Sequence, residues 1–215
     1  IRSNVADAER AGLNSGGAGV VLIEGSGFIG NSASGNGGGL HHHGDSAFIL
    51  ADCQFLNNSA GGPGFQTGAG GGVDFRGTSL SCSNSTFNSN SGIWGGGLYA
   101  ESASVTVQSC AFTGCTVEKA GGGSQGGAIA THDVNLTVGD SIFTGNTSGD
   151  IGGAIAMDEG LLHVEDSEFL QNTAQAYGGA IEMHGTSAGT QQFISSVFTE
   201  NSSVLSGGAL MIDEI

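Results

Sequence analysis

The sequence predicts an all-β protein: a right-handed parallel β-helix of about seven coils, with three short strands in each. Three observations predict it. A Gly-Gly-x-apolar motif recurs at Gly37, Gly70, Gly95, Gly126, Gly152, Gly178 and Gly207. A Phe-x-x-Asn motif recurs at Phe28–Asn31, Phe55–Asn58, Phe87–Asn90, Phe143–Asn146, Phe169–Asn172 and Phe198–Asn201, with one copy, Phe112–Cys115, carrying Cys in the last slot. Finally, the interval from the first Gly to the next Phe is 17 or 18 residues in five cases and 20 in the sixth. A unit of that period, too small to bury its own apolar face, must stack on its neighbours.

Each element then follows from its column. Before the Phe, alternate positions are apolar: Val21, Phe48, Leu80, Val105, Leu136 and Leu162 seven residues earlier (Gln191 is the exception), then Ile23, Leu50, Cys82, Val107, Val138, Val164 and Phe193 five residues earlier. Period 2 is the pattern of a half-buried strand. A second strand follows the glycines, with Leu40, Val73, Leu98, Ile129, Ile155, Ile181 and Leu210 pointing inward. The Phe-x-x-Asn segment supplies the third strand and its corner. Stacked Phe side chains fill the core. The ladder Asn tolerates the left-handed conformation of a tight corner and bonds from coil to coil. The Gly pair permits positive φ or close backbone approach. A polar column three residues before each Phe (Gly25, Asp52, Asn84, Ser109, Asp140, Asp166, Ser195) reads as a turn, and a small column follows it (Ser26, Cys53, Ser85, Cys110, Ser141, Ser167, Ser196). Parallel crossovers set the right-handed sense.

The distance from Phe to the next Gly-Gly is 8 or 9 residues, except 15 after Phe55 and 14 after Phe112. Loops tolerate insertion where packed strands do not, so 61–68 and 118–124 are expected to protrude on one edge. The whole chain, 1–215, reads as a single repeat domain, with 1–27 an irregular first coil. Its ends, Ile1 and Ile215, read as those of a piece of a longer or processed protein.

Composition excludes some functions. Twenty acidic residues against 4 basic give a net charge of −16, the wrong sign for binding nucleic acid or an anionic membrane. No apolar run is long enough to span a bilayer as a helix. The acidic exterior keeps a β-rich protein soluble or attracts cations.

Several side chains are candidates for chemistry. The four cysteines occupy positions suited to small buried residues; they are either packed thiols or disulfides, the plausible pairs being Cys53–Cys82 and Cys110–Cys115. Of five Asn-x-Ser/Thr sequons, Asn146 and Asn201 fall in the internal ladder, while Asn57, Asn84 and Asn135 face outward or lie in a turn and are the possible N-glycosylation sites. In His41-His42-His43, His42 is expected to point inward and its neighbours outward. One exposed stripe runs His43, Arg76, Glu101, His132, Asp158, His184, Asp213, with Asp74 and Glu182 in the next row. His132, Asp158 and His184 would be vertical neighbours, a candidate site for a divalent cation such as Zn²⁺ or Ca²⁺; the alternative is a solvated polar face, with no cofactor.

The alternating GGAI and FxxN motifs resemble the polymorphic outer membrane protein repeats first defined in chlamydiae. The resemblance runs from Phe28 to Leu210. It implies a right-handed β-helix on the cell surface, in bacteria the passenger of an autotransporter, with an adhesive role; similar repeats occur in surface proteins of other microbes, including algae. The expected function is therefore a non-enzymatic extracellular rod, adhesive or structural, with a host or neighbouring cell-surface protein or glycan as partner. A self-assembling filament that binds copies of itself is one alternative; a carbohydrate-binding or polysaccharide-degrading β-helix is another. Asp158 and Glu182 could meet the separation a hydrolase pair needs, but nothing in the sequence builds a groove around them.

Overall fold

The structure is a computed structural model and describes residues 1–2, 4–6, 12–62, 68–118, 125–186 and 189–213. Both expected protruding loops fall largely outside the described residues. Among those described there is no helix, and every strand pairing is parallel. The chain winds into a β-solenoid of about seven turns with three sheets running its length.

The strands divide between sheets differently from the sequence reading. The strand after the glycines and the strand before the Phe belong to one 13-stranded sheet. In two coils they fuse into single 11-residue strands, Ile129–Gly139 and Ile155–Glu165. A positive-φ residue inside each (Asp133, φ 52°; Glu159, φ 61°) inserts one position and shifts the inward phase from Ile129 and Thr131 to Val134, Leu136 and Val138, the effect of a bulge. The Phe strands form a 7-stranded sheet, from Gly27–Ile29 to Val197–Thr199. The third sheet, 8 strands of two residues each, follows the ladder position, as in Ser32–Ala33 and Thr147–Ser148.

The corners are built from left-handed residues. The polar column before the Phe strand is a turn as expected, with φ of 46–56° from Gly25 to Ser195. The ladder Asn residues, contrary to expectation, are not left-handed. The residue before each of them is: Gly30, Asn57, Ser89, Gly114, Gly145, Gln171 and Glu200, with φ of 52–63°. That residue turns the corner and leaves the Asn extended, side chain inward, free to bond along the axis. The glycine pair divides its labour. Gly152 has φ of 61°, and a Cβ on Gly153 would lie 2.6 Å from the Thr173 backbone nitrogen, so neither tolerates a side chain.

The first coil joins the stack more fully than its sequence suggested. Leu13–Gly16 pairs with Leu40–His43, and Gly19–Glu24 pairs with Ser46–Ala51. Gln191, the break in the apolar column, has a local explanation. Its side-chain Oε1 accepts from the Leu162 backbone N–H at 2.6 Å, so a carboxamide replaces one backbone acceptor at the start of Gln192–Ile194.

Candidate functional site

The repeated motifs build the interior. Phe28, Phe55, Phe87, Phe112, Phe143, Phe169 and Phe198 form one column whose successive ring centroids lie 4.4–4.9 Å apart, with interplanar angles of 2–9°. That separation is the strand spacing itself, so the rings stack offset rather than at contact distance.

Beside them runs the Asn ladder. The Asn58 Nδ2 donates to Asn90 Oδ1 at 2.9 Å and to the Phe28 carbonyl at 2.8 Å, while its Oδ1 accepts from the backbone and side-chain nitrogens of Asn31. The same pattern links Asn146, Asn172 and Asn201. Asn58 and Asn172 thus satisfy both donors and both lone pairs. Asn4, whose coil lacks the Phe and so carries no motif, adds a rung by donating to Asn31. At Cys115 the ladder is weak: Asn90 Nδ2 still donates to the Phe55 carbonyl at 2.8 Å, but along the axis it meets the Cys115 sulfur, at 4.0 Å. A hydroxyl ladder accompanies it, in which Ser141 Oγ accepts from the Cys110 N–H and donates to the Gly139 carbonyl, and Ser167 repeats the arrangement.

All four cysteines are buried thiols. The pairs Cys53–Cys82 and Cys110–Cys115 are not formed; Cys82 and Cys110 approach each other instead, at 3.7 Å. The register explains this, because the column of Cys82 faces the small column of the same wall one coil on. Burial pushes the Cys115 thiol up to about 11, and contact with Cys110 together with burial raises Cys82. Of the sequons, Asn57, Asn84 and Asn135 are exposed, whereas Asn146 is buried and Asn201 is engaged in the ladder.

The outer face of the 13-stranded sheet carries the remaining chemistry. His42 lies in the core, its ring between Phe48 (4.5 Å) and Phe75 (5.5 Å), with neither ring nitrogen bonded; burial lowers its pKa. His41 points outward but is buried, contrary to the exposure expected, because its Nδ1 lies 2.5 Å from the buried carboxylate of Asp74. Arg76 continues this network to Asp74 (3.2 Å) and Glu101 (2.7 Å), and its guanidinium sits over the Tyr99 ring at 5.2 Å. His132 pairs with Asp158 at 2.9 Å, and Asp158 is in register with His184. Among the described residues, however, no three His, Cys, Asp or Glu side chains gather to hold a metal ion. The candidate cation site at His132, Asp158 and His184 is thus a pair with a neighbour.

A cleft does surround Asp158 and Glu182, which the sequence reading had not foreseen. Its far wall is the residue preceding each glycine pair. Trp94, Gln125, Ile151 and Tyr177 stack there by successive parallel bridges. Its floor is the outward row Tyr99, Ala130, Ala156, Glu182, Met211, which shrinks to alanine in the middle. The space, about 450 Å³, is lined by Gln125, Ile151, Met157, Asp158, Tyr177, Glu182, His184, Met211 and Asp213. A smaller hollow of about 200 Å³ at Trp94, Tyr99 and His132 adjoins it through Gln125 and Asp158. Glu182 is 6% exposed, and its Oε2 has no partner. Burial, with Asp158, Asp213 and Asp150 nearby, pushes its carboxyl up to about 7.

Fold and ladders define a β-solenoid repeat protein whose motif residues are internal. Residues 140–157, which hold Phe143–Asn146 and Gly152–Ile155, match the Chlamydia polymorphic membrane protein (Chlamydia_PMP) repeat. Comparison with curated proteins and with solved structures gives no match. The other coils from Phe28 to Leu210 repeat the two motifs, with Cys115 in place of one ladder Asn.

Proposed function

We propose that this chain is a non-enzymatic, extracellular, cell-surface rod whose outward side chains engage a protein or glycan on a host or neighbouring cell. One observation carries the reading. The residues the repeat keeps constant (the Phe, the ladder Asn, the glycine pair) are consumed by packing, while the solvent-facing stripe changes from coil to coil: His43, Arg76, Glu101, His132, Asp158, His184, Asp213. A regular interior that presents an irregular exterior is the economy of a binding solenoid. The match to a membrane-protein repeat supports a surface location.

The test is adhesion of beads coated with the purified chain to cells, together with antibody labelling of intact source cells. Outward substitutions in the cleft row, such as Tyr177→Ala, are expected to reduce adhesion while the thermal midpoint holds. Adhesion that survives replacement of every outward row, or antigen found only inside cells, would refute the proposal.

A second reading, carbohydrate binding, is favoured by the cleft. Tyr177 and Trp94 offer flat apolar faces beside the carboxylates of Asp158 and Glu182, a combination suited to a sugar ring and its hydroxyls. A glycan array tests it, and a blank array counts against it.

A further inference from the structure

Glu182 is a buried side chain that the fold leaves incompletely partnered. It projects from the sheet into the cleft, is more than nine-tenths buried, and leaves Oε2 without a hydrogen-bond partner. A buried carboxyl without a partner is costly unless something completes it. The surroundings say what kind of group would. Asp158 and Asp213 line the same cleft, and Asp150 lies close enough to raise the Glu182 pKa. Among the described residues, His184 is the only basic side chain lining it. Of the four Arg and Lys residues, Arg2 and Arg76 are described; Arg76 is engaged by Asp74 and Glu101, far along the rod. No described Arg or Lys of the chain therefore completes Glu182. The remaining walls are apolar: Ile151, Met157, Met211 and the ring of Tyr177.

We propose that the cleft binds a primary ammonium group carried on a short methylene stem, with Glu182 and Asp158 receiving the head and Tyr177, Ile151 and Met211 the stem. A cation is drawn by the local carboxylates and the net charge of −16. A point charge with three donors satisfies an unpartnered oxygen in any orientation. An alkyl stem covers apolar surface while its head reaches the charge, and the Tyr177 face adds attraction for a cation. A bare metal ion fits poorly, since among the described residues no three ligating side chains converge. The inference deepens the surface-binding reading by naming the chemistry of one subsite, but its test uses the isolated chain and does not depend on adhesion.

The experiment is an NMR titration of the whole chain at pH 8, reading the Gln125 side-chain amide and the Tyr177 ring. The probes are n-butylamine and its neutral counterpart n-butanol, then Nα-acetyl-lysine amide, glucosamine and glucose. Butylamine and the lysine derivative are expected to shift both signals saturably, glucosamine more weakly for want of a stem, and butanol and glucose not at all. Glu182→Gln should weaken butylamine about tenfold or more, the scale of a charged hydrogen bond. Glu168→Gln, an equal change of charge on the Phe sheet, should leave it unchanged. Lowering the pH to 5, where Glu182 takes up its proton, should weaken binding more in the wild type than in Glu182→Gln, in which the cleft histidine His184 alone gains charge. An equal response to butanol or glucose, unchanged affinity in Glu182→Gln, or an equal loss in Glu168→Gln would each overturn the proposal. The last of these would mean diffuse attraction to an acidic rod.

Discussion

Replacing Asn146 with Ala removes one rung from the middle of the ladder. Its Nδ2 donates to the Phe112 carbonyl at 3.1 Å and to Asn172 Oδ1 at 2.9 Å, and its Oδ1 accepts from the Cys115 N–H at 3.0 Å. Each such bond contributes about 1 kcal/mol net, and a buried N–H left alone costs about 1–3 kcal/mol. Some of these groups keep a second partner: Asn172 Oδ1 still accepts from the Asn146 backbone. The expected loss is therefore about 2–4 kcal/mol, a large share of a domain's stability. The inverse change tests the same logic. Cys115 leaves Asn90 with a sulfur contact at 4.0 Å, so Cys115→Asn should restore the rung and gain about 1 kcal/mol. Urea unfolding followed by circular dichroism reads both. Thr144→Ala, on the outer side of the neighbouring Phe strand, serves as control and should stay within about 0.5 kcal/mol. If Asn146→Ala matched that control, the carboxamide column would be a packing coincidence rather than a source of stability.

Further predictions concern pH, glycine and thiols. Glu182 has a folded pKa of about 7, raised from 4.5, so its penalty is absent below pH 4.5, grows as the pH rises to 7 and is constant above. Glu182→Gln should therefore gain about 2–3 kcal/mol over wild type at pH 8 and almost nothing at pH 4, read as the difference between two urea series. His42 has the opposite sign. Its folded pKa lies below 6.5, so wild type loses stability as the pH falls through 6.5 towards the folded value. His42→Leu should abolish that part of the loss and, by removing two unpartnered nitrogens, stabilise by about 1–3 kcal/mol at pH 7. Gly153→Ala forces a Cβ against the Thr173 backbone and should cost about 3 kcal/mol or more, seen as a lowered thermal midpoint or lost soluble yield. The four buried thiols should resist a thiol reagent in the native state, react together in denaturant, and give the same intact mass with and without reductant.

What the sequence made legible is what repeats. Phe and Asn columns, the glycine pair and the polar turn column appear because stacking imposes one constraint on every coil, and seven statements of it outweigh local noise. The misreadings came where a neighbour in space mattered more than the column. The ladder Asn was assigned the left-handed turn, although Asn57 or Gln171, one position earlier, adopts it; the corner accepts many residue types, so it leaves no motif. Asn4 was invisible because its coil lacks the Phe. His41 reads as exposed by alternation, but the buried Asp74 beside it comes from the next coil. The cleft at Glu182 was hidden for the same reason. Its wall of Trp94, Gln125, Ile151 and Tyr177 shares a position in the repeat but no chemistry, and Ala130 and Ala156 signal space only once their register against Tyr99 and Glu182 is known.

The most direct measurement of the stacked-ladder account is a ring-to-ring NOE experiment on protein with protonated Phe in a deuterated background. It should give an unbroken chain of cross-peaks, Phe28 to Phe55 to Phe87 to Phe112 to Phe143 to Phe169 to Phe198, set by ring separations of 4.4–4.9 Å, beside the side contacts Phe48–Phe75 and Phe193–Phe198. A missing Phe143–Phe169 contact, or strong contacts between rings two or more coils apart, would contradict it.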